Sequence, residues 1–263
     1  MSALDRPDPK GKKASLFVTC IVDMIYPNTG MAVVDVLERL GISVDFPEGQ
    51  TCCGQMGFNA GYRDEAKAVA KHFIETFEPS EVIVAPSGSC VSMVRHFYPE
   101  LFDDDPVWHD RMAAIVAKTW ELTEFLVDGL GITDVGTQLA QPVKVAIHDA
   151  CHGLRMMGLQ KQPRALLQQV GNLEVVDLVG ADQCCGFGGL FAIKMPDVSG
   201  AMLNDKMTNI EAAAADLIVT CDASCLTQMN GGLSRKRSAK RVVHIAEVLA
   251  GRIGADVNAN THK

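Results

Sequence analysis

The chain has no run of 18 or more apolar residues, so it carries no segment that reads as a membrane-spanning helix. Its first stretch, MSALDRPDPKGKK, is polar and proline-bearing and lacks the apolar core of a secretory signal. Direct membrane insertion is not expected, and the sequence points to a cytoplasmic location. An excess of base is missing too: 24 Lys and Arg stand against 32 Asp and Glu, a net charge of −8. A polyanion surface needs clustered positive charge, which argues against nucleic acid as a partner. The one basic run, SRKRSAKR, with Arg235, Lys236, Arg237, Lys240 and Arg241, reads as a solvated loop or docking patch. Familiar catalytic motifs are absent as well. No G-x-G-x-x-G loop follows the first strand, GFGG does not match one, and there is neither a Ser-centred nucleophile elbow nor H-E-x-x-H.

What the chain does have is cysteine, and it has it twice. Nine cysteines occur in 263 residues: Cys20, Cys52, Cys53, Cys90, Cys151, Cys184, Cys185, Cys221 and Cys225. In a reducing compartment an odd number of this size points to metal ligands or redox chemistry rather than disulfides. Cys184 and Cys185 follow Cys52 and Cys53 by 132 positions, Cys151 follows Cys20 by 131, and Cys225 follows Cys90 by 135. Eight of the nine thus form two sets of four in nearly the same register, the mark of an internal duplication.

The flanking residues repeat in the same way. ASLFVTC and VKVAIHDAC are apolar, β-branched runs that end on the first cysteine of each set and read as buried strands. Helical patterns follow, one after Pro27 and one around Pro163 that ends at Gly171. GISVDFPE and NLEVVDLVG read as second strands, and EVIVAP and DLIVTC as third strands leading to SGSC and DASC. The segments AAIVAKTWELTEFLVDGLG and VVHIAEVLAGRIG read as closing helices. Strands alternating with helices imply an α/β fold: two pseudo-symmetric lobes, each a mainly parallel sheet flanked by helices. The lobes are expected over 13–138 and 139–253, with 1–12 and 254–263 as flexible tails.

In a parallel sheet the carboxyl ends of the strands share one edge, where ligands bind. The four thiols of a lobe can therefore converge there despite their separation in sequence. Adjacent cysteines face one site only if the chain bends; Gly54 and Gly186 permit that bend and a close approach of backbone N–H to metal or sulfide. Four thiolates suit iron–sulfur clusters or tetrahedral zinc, and catalytic dithiol chemistry is a further reading. Zinc sites usually come as paired C-x₂₋₄-C knuckles, and only Cys221-x₃-Cys225 has such spacing, without a partner pair. Buried free cysteines acting as small hydrophobes would have no reason to stay in register across the duplication.

The lobes differ around the first cysteine. His148, Asp149, His152 and Arg155 surround Cys151, where the first lobe has Phe17, Val18, Ile21 and Met24. Such a cluster is a candidate to move protons, or to hold a carboxylate through Arg155 or Arg164. Alternatively Asp149 caps a helix and the histidines orient the ligands.

The stretches LFVTCIVDMIYP, QTCCGQMGFNAGY, PSGSC, HDACHGLR, CCGFGGLFAIK and HIAEVL, spread over nearly the whole chain, resemble the cysteine-rich CCG-domain family. That family includes the B subunit of heterodisulfide reductase, the glycolate oxidase iron–sulfur subunit and the lactate utilization protein A group, which these stretches resemble most. The resemblance implies an iron–sulfur electron-transfer subunit of an oxidoreductase complex. That complex would oxidise a small 2-hydroxy acid, L-lactate to pyruvate, with two partner subunits. The heterodisulfide relatives imply five-cysteine clusters, whereas the four cysteines per lobe here lead to the expectation of one [4Fe–4S] cluster per lobe, on Cys20, Cys52, Cys53 and Cys90 and on Cys151, Cys184, Cys185 and Cys225. Alternatives are a thiol/disulfide redox subunit of the heterodisulfide reductase type and a non-enzymatic, zinc-binding interaction subunit. The chain departs from the fuller motif, which ends in Cys-x-x-Cys: Ser87 stands three before Cys90 and Asp222 three before Cys225. Five-cysteine clusters are therefore not expected in either lobe, with Cys221 as a spare ligand in the second.

Overall fold

The structure is a computed structural model and describes residues 6–253. Two four-stranded sheets account for the strands. In the first, β1 (Ala14–Leu16), β2 (Val44–Asp45), β3 (Val82–Ala85) and β4 (Thr119–Glu121) lie in the order β2-β1-β3-β4. In the second, β5 (Gln138–His148), β6 (Gly171–Val176), β7 (Leu217–Thr220) and β8 (Arg241–His244) lie in the matching order β6-β5-β7-β8. Every strand pair is parallel. In each lobe the connections run outward in opposite directions from the central strand pair, β1/β3 or β5/β7. The edge above that pair is where an open α/β sheet leaves a crevice.

The period-2 alternation of the strands sorts their side chains between two cores. Ala14, Leu16, Val82 and Val84 face inward into a core shared with Val145, Ile147, Leu217 and Val219 of the second sheet. Phe17, Ile83 and Ala85 face outward into a core of the first lobe alone, and Ala146 and Ile218 into one of the second. The helix Pro27–Arg39, opened by proline and burying Val33, Val36 and Leu37, packs in the shared layer against the helix Ile245–Ala250. Arg39 ties them together, donating to Thr137 Oγ1 (2.7 Å) and to the carbonyls of Leu249 and Ala250 (both 3.1 Å). At the carboxyl edge Ser87 and Asp222, equivalent positions of the two lobes, pair in an antiparallel bridge. Equivalent residues meeting antiparallel is the signature of a pseudo-two-fold axis between the halves.

Four expectations are corrected. The closing segment of the first lobe is not one helix: Thr119–Glu121 breaks it with a fourth strand, because Thr119, Trp120 and Glu121 pair with β3 through Ile83, Val84 and Ala85. Likewise Arg241–His244 is a strand on β7, and the helix begins only at Ile245. The helix expected to end at Gly171 stops at Leu167, and Gly171 opens β6. The expected tail 1–12 is anchored at Arg6, which is 8% exposed and lies over the Trp120 ring, 3.3 Å from its centroid. Arg6 also bonds the carbonyls of Ala117 and Thr119 and pairs with Glu124 at 3.2 Å. Residues 1–5 and the expected tail 254–263 lie outside the described residues.

Candidate metal centre

Each cysteine set is built by the same three pieces of backbone. Cys20 and Cys151 open helices directly after β1 and β5. The pairs Cys52–Cys53 and Cys184–Cys185 sit in loops after the second strands, and Cys90 and Cys225 lie in the first turns of helices after β3 and β7. Those helices are capped by Ser87, whose side chain accepts from Cys90 N, and by Asp222, which accepts from Ser224 N. Gly54 and Gly186 both stand at φ +85°, in the left-handed region that glycine enters without steric cost. In that conformation Gly54 N donates to Cys52 Sγ, and Gly186 N to Cys184 Sγ, each at 3.4 Å.

The equivalence of the glycines hides a difference in packing. A Cβ on Gly186 would meet Ser199 O at 2.7 Å, whereas one on Gly54 would meet nothing nearer than Val69 Cγ1 at 3.4 Å. Gly54→Ala is expected to cost about 1 kcal/mol, the left-handed strain alone, and Gly186→Ala about 3 kcal/mol because backbone must also shift. Anaerobic urea denaturation of the two variants reads this directly; equal losses would contradict it.

All eight thiols of the two sets line one cavity of about 200 Å³ between the lobes. Convergence within each lobe was expected from the sequence; the shared space was not. It arises because the pseudo-two-fold brings the two carboxyl edges together. Within the sets, Cys20 Sγ lies 3.6 Å from Cys52 Sγ and Cys185 Sγ 3.3 Å from Cys225 Sγ. The bond from Cys20, then that from Cys53, holds the Cys52 thiol far below its ordinary range as the thiolate, with Gly54 N–H assisting. Cys184 is lowered in the same way, first by Cys151 and then by Cys185. Their hydrogen-bonding neighbours Cys20, Cys53, Cys151 and Cys185 are pushed up correspondingly. Cys225 is brought to about 7, by Cys185 first. Metal binding removes the protons that remain on the thiols.

The second-lobe charge cluster is only partly gathered at this cavity. His152 lines it, with Nδ1 3.7 Å from Cys151 Sγ and Nε2 3.3 Å from Gln55 Nε2 of the first lobe. His148 is 1% exposed and lies beneath the second set. Asp149 caps no helix; it forms a two-pronged bond with Arg164 (2.7 and 2.9 Å). Arg155 is exposed and reaches Asp182 O at 3.4 Å. Neither arginine is available in the cavity, and among the described residues no Lys or Arg lines it. Cys221 is set apart too. It lines a separate small void with Glu121, Ile147 and Asp149, where burial lifts the Glu121 carboxyl to about 7 and the Cys221 thiol well above its ordinary range. It does not line the cavity that the second set lines.

Sequence reasoning missed what Ser87 and Asp222 do. Asp222 Oδ2 accepts from Ser89 N (2.9 Å) and Ser87 Oγ (3.2 Å) across the lobes, while His244 Nε2 donates to Pro86 O (3.0 Å) beside them. The positions at which the fuller motif carries extra cysteines are spent here on joining the halves. Gln55 and Met56, directly after the first CCG, were overlooked as well, though their adjacency to the cysteine pair was a usable signal. Met56 packs so closely on Gly189 that a Cβ there would come within 2.9 Å.

Eight soft thiols select iron–sulfur or zinc over harder cations. Among the described residues the one carboxylate at the cavity, Asp222, is already satisfied by Ser87, Ser89 and Ser224. The donor set therefore fits such a group. The pattern that arranges it has relatives: the cysteine-rich domain named CCG matches residues 14–95 and again 145–230. The chain belongs to the cysteine-rich CCG-domain family. Among curated members, lactate utilization protein A of Bacillus subtilis is 48% identical over 91% of this chain and 100% of its own length. That of an Exiguobacterium species is 49% identical over 89% and 96%. With these relatives the chain falls in the lactate utilization protein A group of the CCG family. A Helicobacter pylori structure described as a hypothetical protein shares the fold, with a TM-score of 0.62 and 12% identity over 95% of this chain. This chain spans about half, 51%, of that one. No helix among the described residues is long and apolar enough to cross a membrane.

Proposed function

We propose that the chain is an iron–sulfur electron-transfer subunit in lactate utilization, working with two partner subunits that oxidise L-lactate to pyruvate. The observation that carries this reading is the single cavity lined by two equivalent four-thiol sets and, among the described residues, by no lysine or arginine. Cys20, Cys52, Cys53 and Cys90 would hold one [4Fe–4S] cluster, and Cys151, Cys184, Cys185 and Cys225 a second. When bound, such clusters supply two one-electron stations, matching the two electrons released when a 2-hydroxy acid becomes a 2-oxo acid. The chain's own groups bind and tune. Gly54 and Gly186 N–H bond sulfur, which favours the more negative, reduced state, and Phe187, Ile21 and Met56 keep the walls apolar. Without a guanidinium or ammonium to receive a carboxylate, the cavity is suited to pass electrons rather than to bind the hydroxy acid, which falls to a partner.

Zinc is the second reading, and the sulfur spacing favours it. At a Zn–S distance of about 2.3 Å the edge of a tetrathiolate site is about 3.8 Å, near the 3.3 and 3.6 Å found. A four-iron cluster requires its sulfurs to spread outward, for which the adjoining cavity gives room. The heterodisulfide reductase type of chemistry is disfavoured, since Ser87 and Asp222 occupy the places of a fifth cysteine and Cys221 faces another void. Iron, acid-labile sulfide and zinc per chain, measured on protein purified without oxygen, test the proposal. About eight iron and eight sulfide are expected; one or two zinc with no sulfide would overturn it.

A further inference from the structure

The two sets are equivalent in their cysteines but not in what lies beneath them. Strand register fixes the correspondence: Ala14 pairs with Val82 as Val145 pairs with Leu217, so Phe17 of the first lobe occupies the position of His148 in the second. Both side chains project from the outer face of their sheet. Phe17 packs edge-on against Phe73 and Phe77, with centroids 4.8 and 5.6 Å away, and offers no donor atom. His148 shares its face with Ala146, the face against which Cys185 and Cys225 pack.

The imidazole is held in one orientation. Its Nδ1 lies 3.1 Å from Ala181 O, a carbonyl that can only accept, so the proton is on Nδ1 and the lone pair on Nε2. Nε2 is buried and meets no polar partner other than the Cys225 sulfur. A ring nitrogen of His148 and the sulfurs of Cys185 and Cys225 all lie within 4.8 Å of one another. Metal–nitrogen and metal–sulfur bonds of about 2.1 and 2.3 Å bring such a trio onto one metal with adjustments of about 1 Å. A buried, oriented ring nitrogen facing two thiols is a set of donors suited to a metal ion.

We infer that His148 Nε2 is a metal donor of the second-lobe centre beside Cys185 and Cys225, the fourth position of a four-donor centre then falling to one of Cys151 and Cys184. The first-lobe centre, over Phe17, is held by thiolates alone. The inference rests on the reading of a metal in the second set and holds for a cluster or a single ion. His152 is not an equivalent candidate, since its two nitrogens are engaged by Cys151 and by Gln55.

The test is pulsed electron paramagnetic resonance on full-length protein carrying ¹⁵N-labelled histidine. The sample is reduced if iron is present and substituted with cobalt(II) if only zinc is found. A strong histidine-nitrogen coupling is expected in the wild type and in the Cys53→Ser variant, which isolates the second centre. It should persist in His152→Gln and vanish in His148→Phe and His148→Gln. Metal bound with no such coupling in the wild type, a measurement that does not depend on any variant folding, would overturn the inference and leave the electron-transfer reading standing. Coupling that survives in both His148 variants would overturn it as well. Failure of the second set to bind any metal would overturn both readings.

Discussion

Cys53→Ser and Cys185→Ser are each expected to remove about four iron and four sulfide per chain while leaving the other set loaded. These two cysteines are chosen because each is 2% exposed and linked by hydrogen bonds to both its neighbour in the pair and the last cysteine of its set. A serine there keeps the volume nearly unchanged and replaces a soft donor with a hard one. The loss should be confined to one centre because each set is assembled by its own sheet. Cys20 and Cys90 rest on β1 and β3, Cys151 and Cys225 on β5 and β7. Iron and sulfide analysis of both variants under argon measures the effect. Full iron in either variant, or loss of both centres in each, would contradict it.

The second large effect concerns stability and lies far from the thiols. Arg6→Ala is expected to cost about 3 kcal/mol, at the low end for breaking a buried ion pair. Its guanidinium contacts Glu124 with both side chains nearly inaccessible, and it covers the Trp120 face. Burial lowers its pKa only to about 10, so it stays charged at neutral pH. Glu124 is not abandoned in the variant, because Arg95 also bonds it at 2.7 and 2.9 Å, and that is why the low end applies. What is lost is one charge partner, a ring contact of about 1–2 kcal/mol and two carbonyl bonds. Lys10→Ala, at an exposed position on the same segment, should change stability by less than about 0.5 kcal/mol. Urea midpoints of the two variants give the comparison; a loss below about 1 kcal/mol for Arg6→Ala would contradict the account.

Much of this organisation was legible before any coordinates, for a physical reason. A parallel strand buried on both faces is a continuous β-branched run, and AIH at the end of β5 or VIVA in β3 can hardly be anything else. The cysteine sets were legible because duplication gave each one an internal control. The fourth strands were not, since TWE and RVVH are short and embedded in apolar segments whose spacing also suits a helix. The shared cavity was invisible for a different reason: each lobe's pattern encodes its own sheet, while the docking of the halves depends on Arg39, Asp222 and Gly88, which carry no periodic signal. Gly88, for example, is needed because a Cβ there would sit 3.0 Å from the Cα of Gly153 in the other lobe. Charge pairing was equally hidden. Sequence brought Asp149, Arg155 and Arg164 into one neighbourhood, but only the fold decides that Asp149 takes Arg164 and leaves Arg155 in solvent.

The bridge between Ser87 and Asp222 has a consequence for the ancestry of the molecule. Two copies of a one-lobe ancestor related by a two-fold axis would make such an isologous contact and enclose the same space between them. A homodimer, however, must mutate both copies at once, so its two halves stay identical. Fusion into one chain lifts that constraint: serine can face aspartate across the axis, and phenylalanine can stand where the other half keeps histidine. The covalent link thus gives the two ends of the cavity separate histories, and with them separate chemistries.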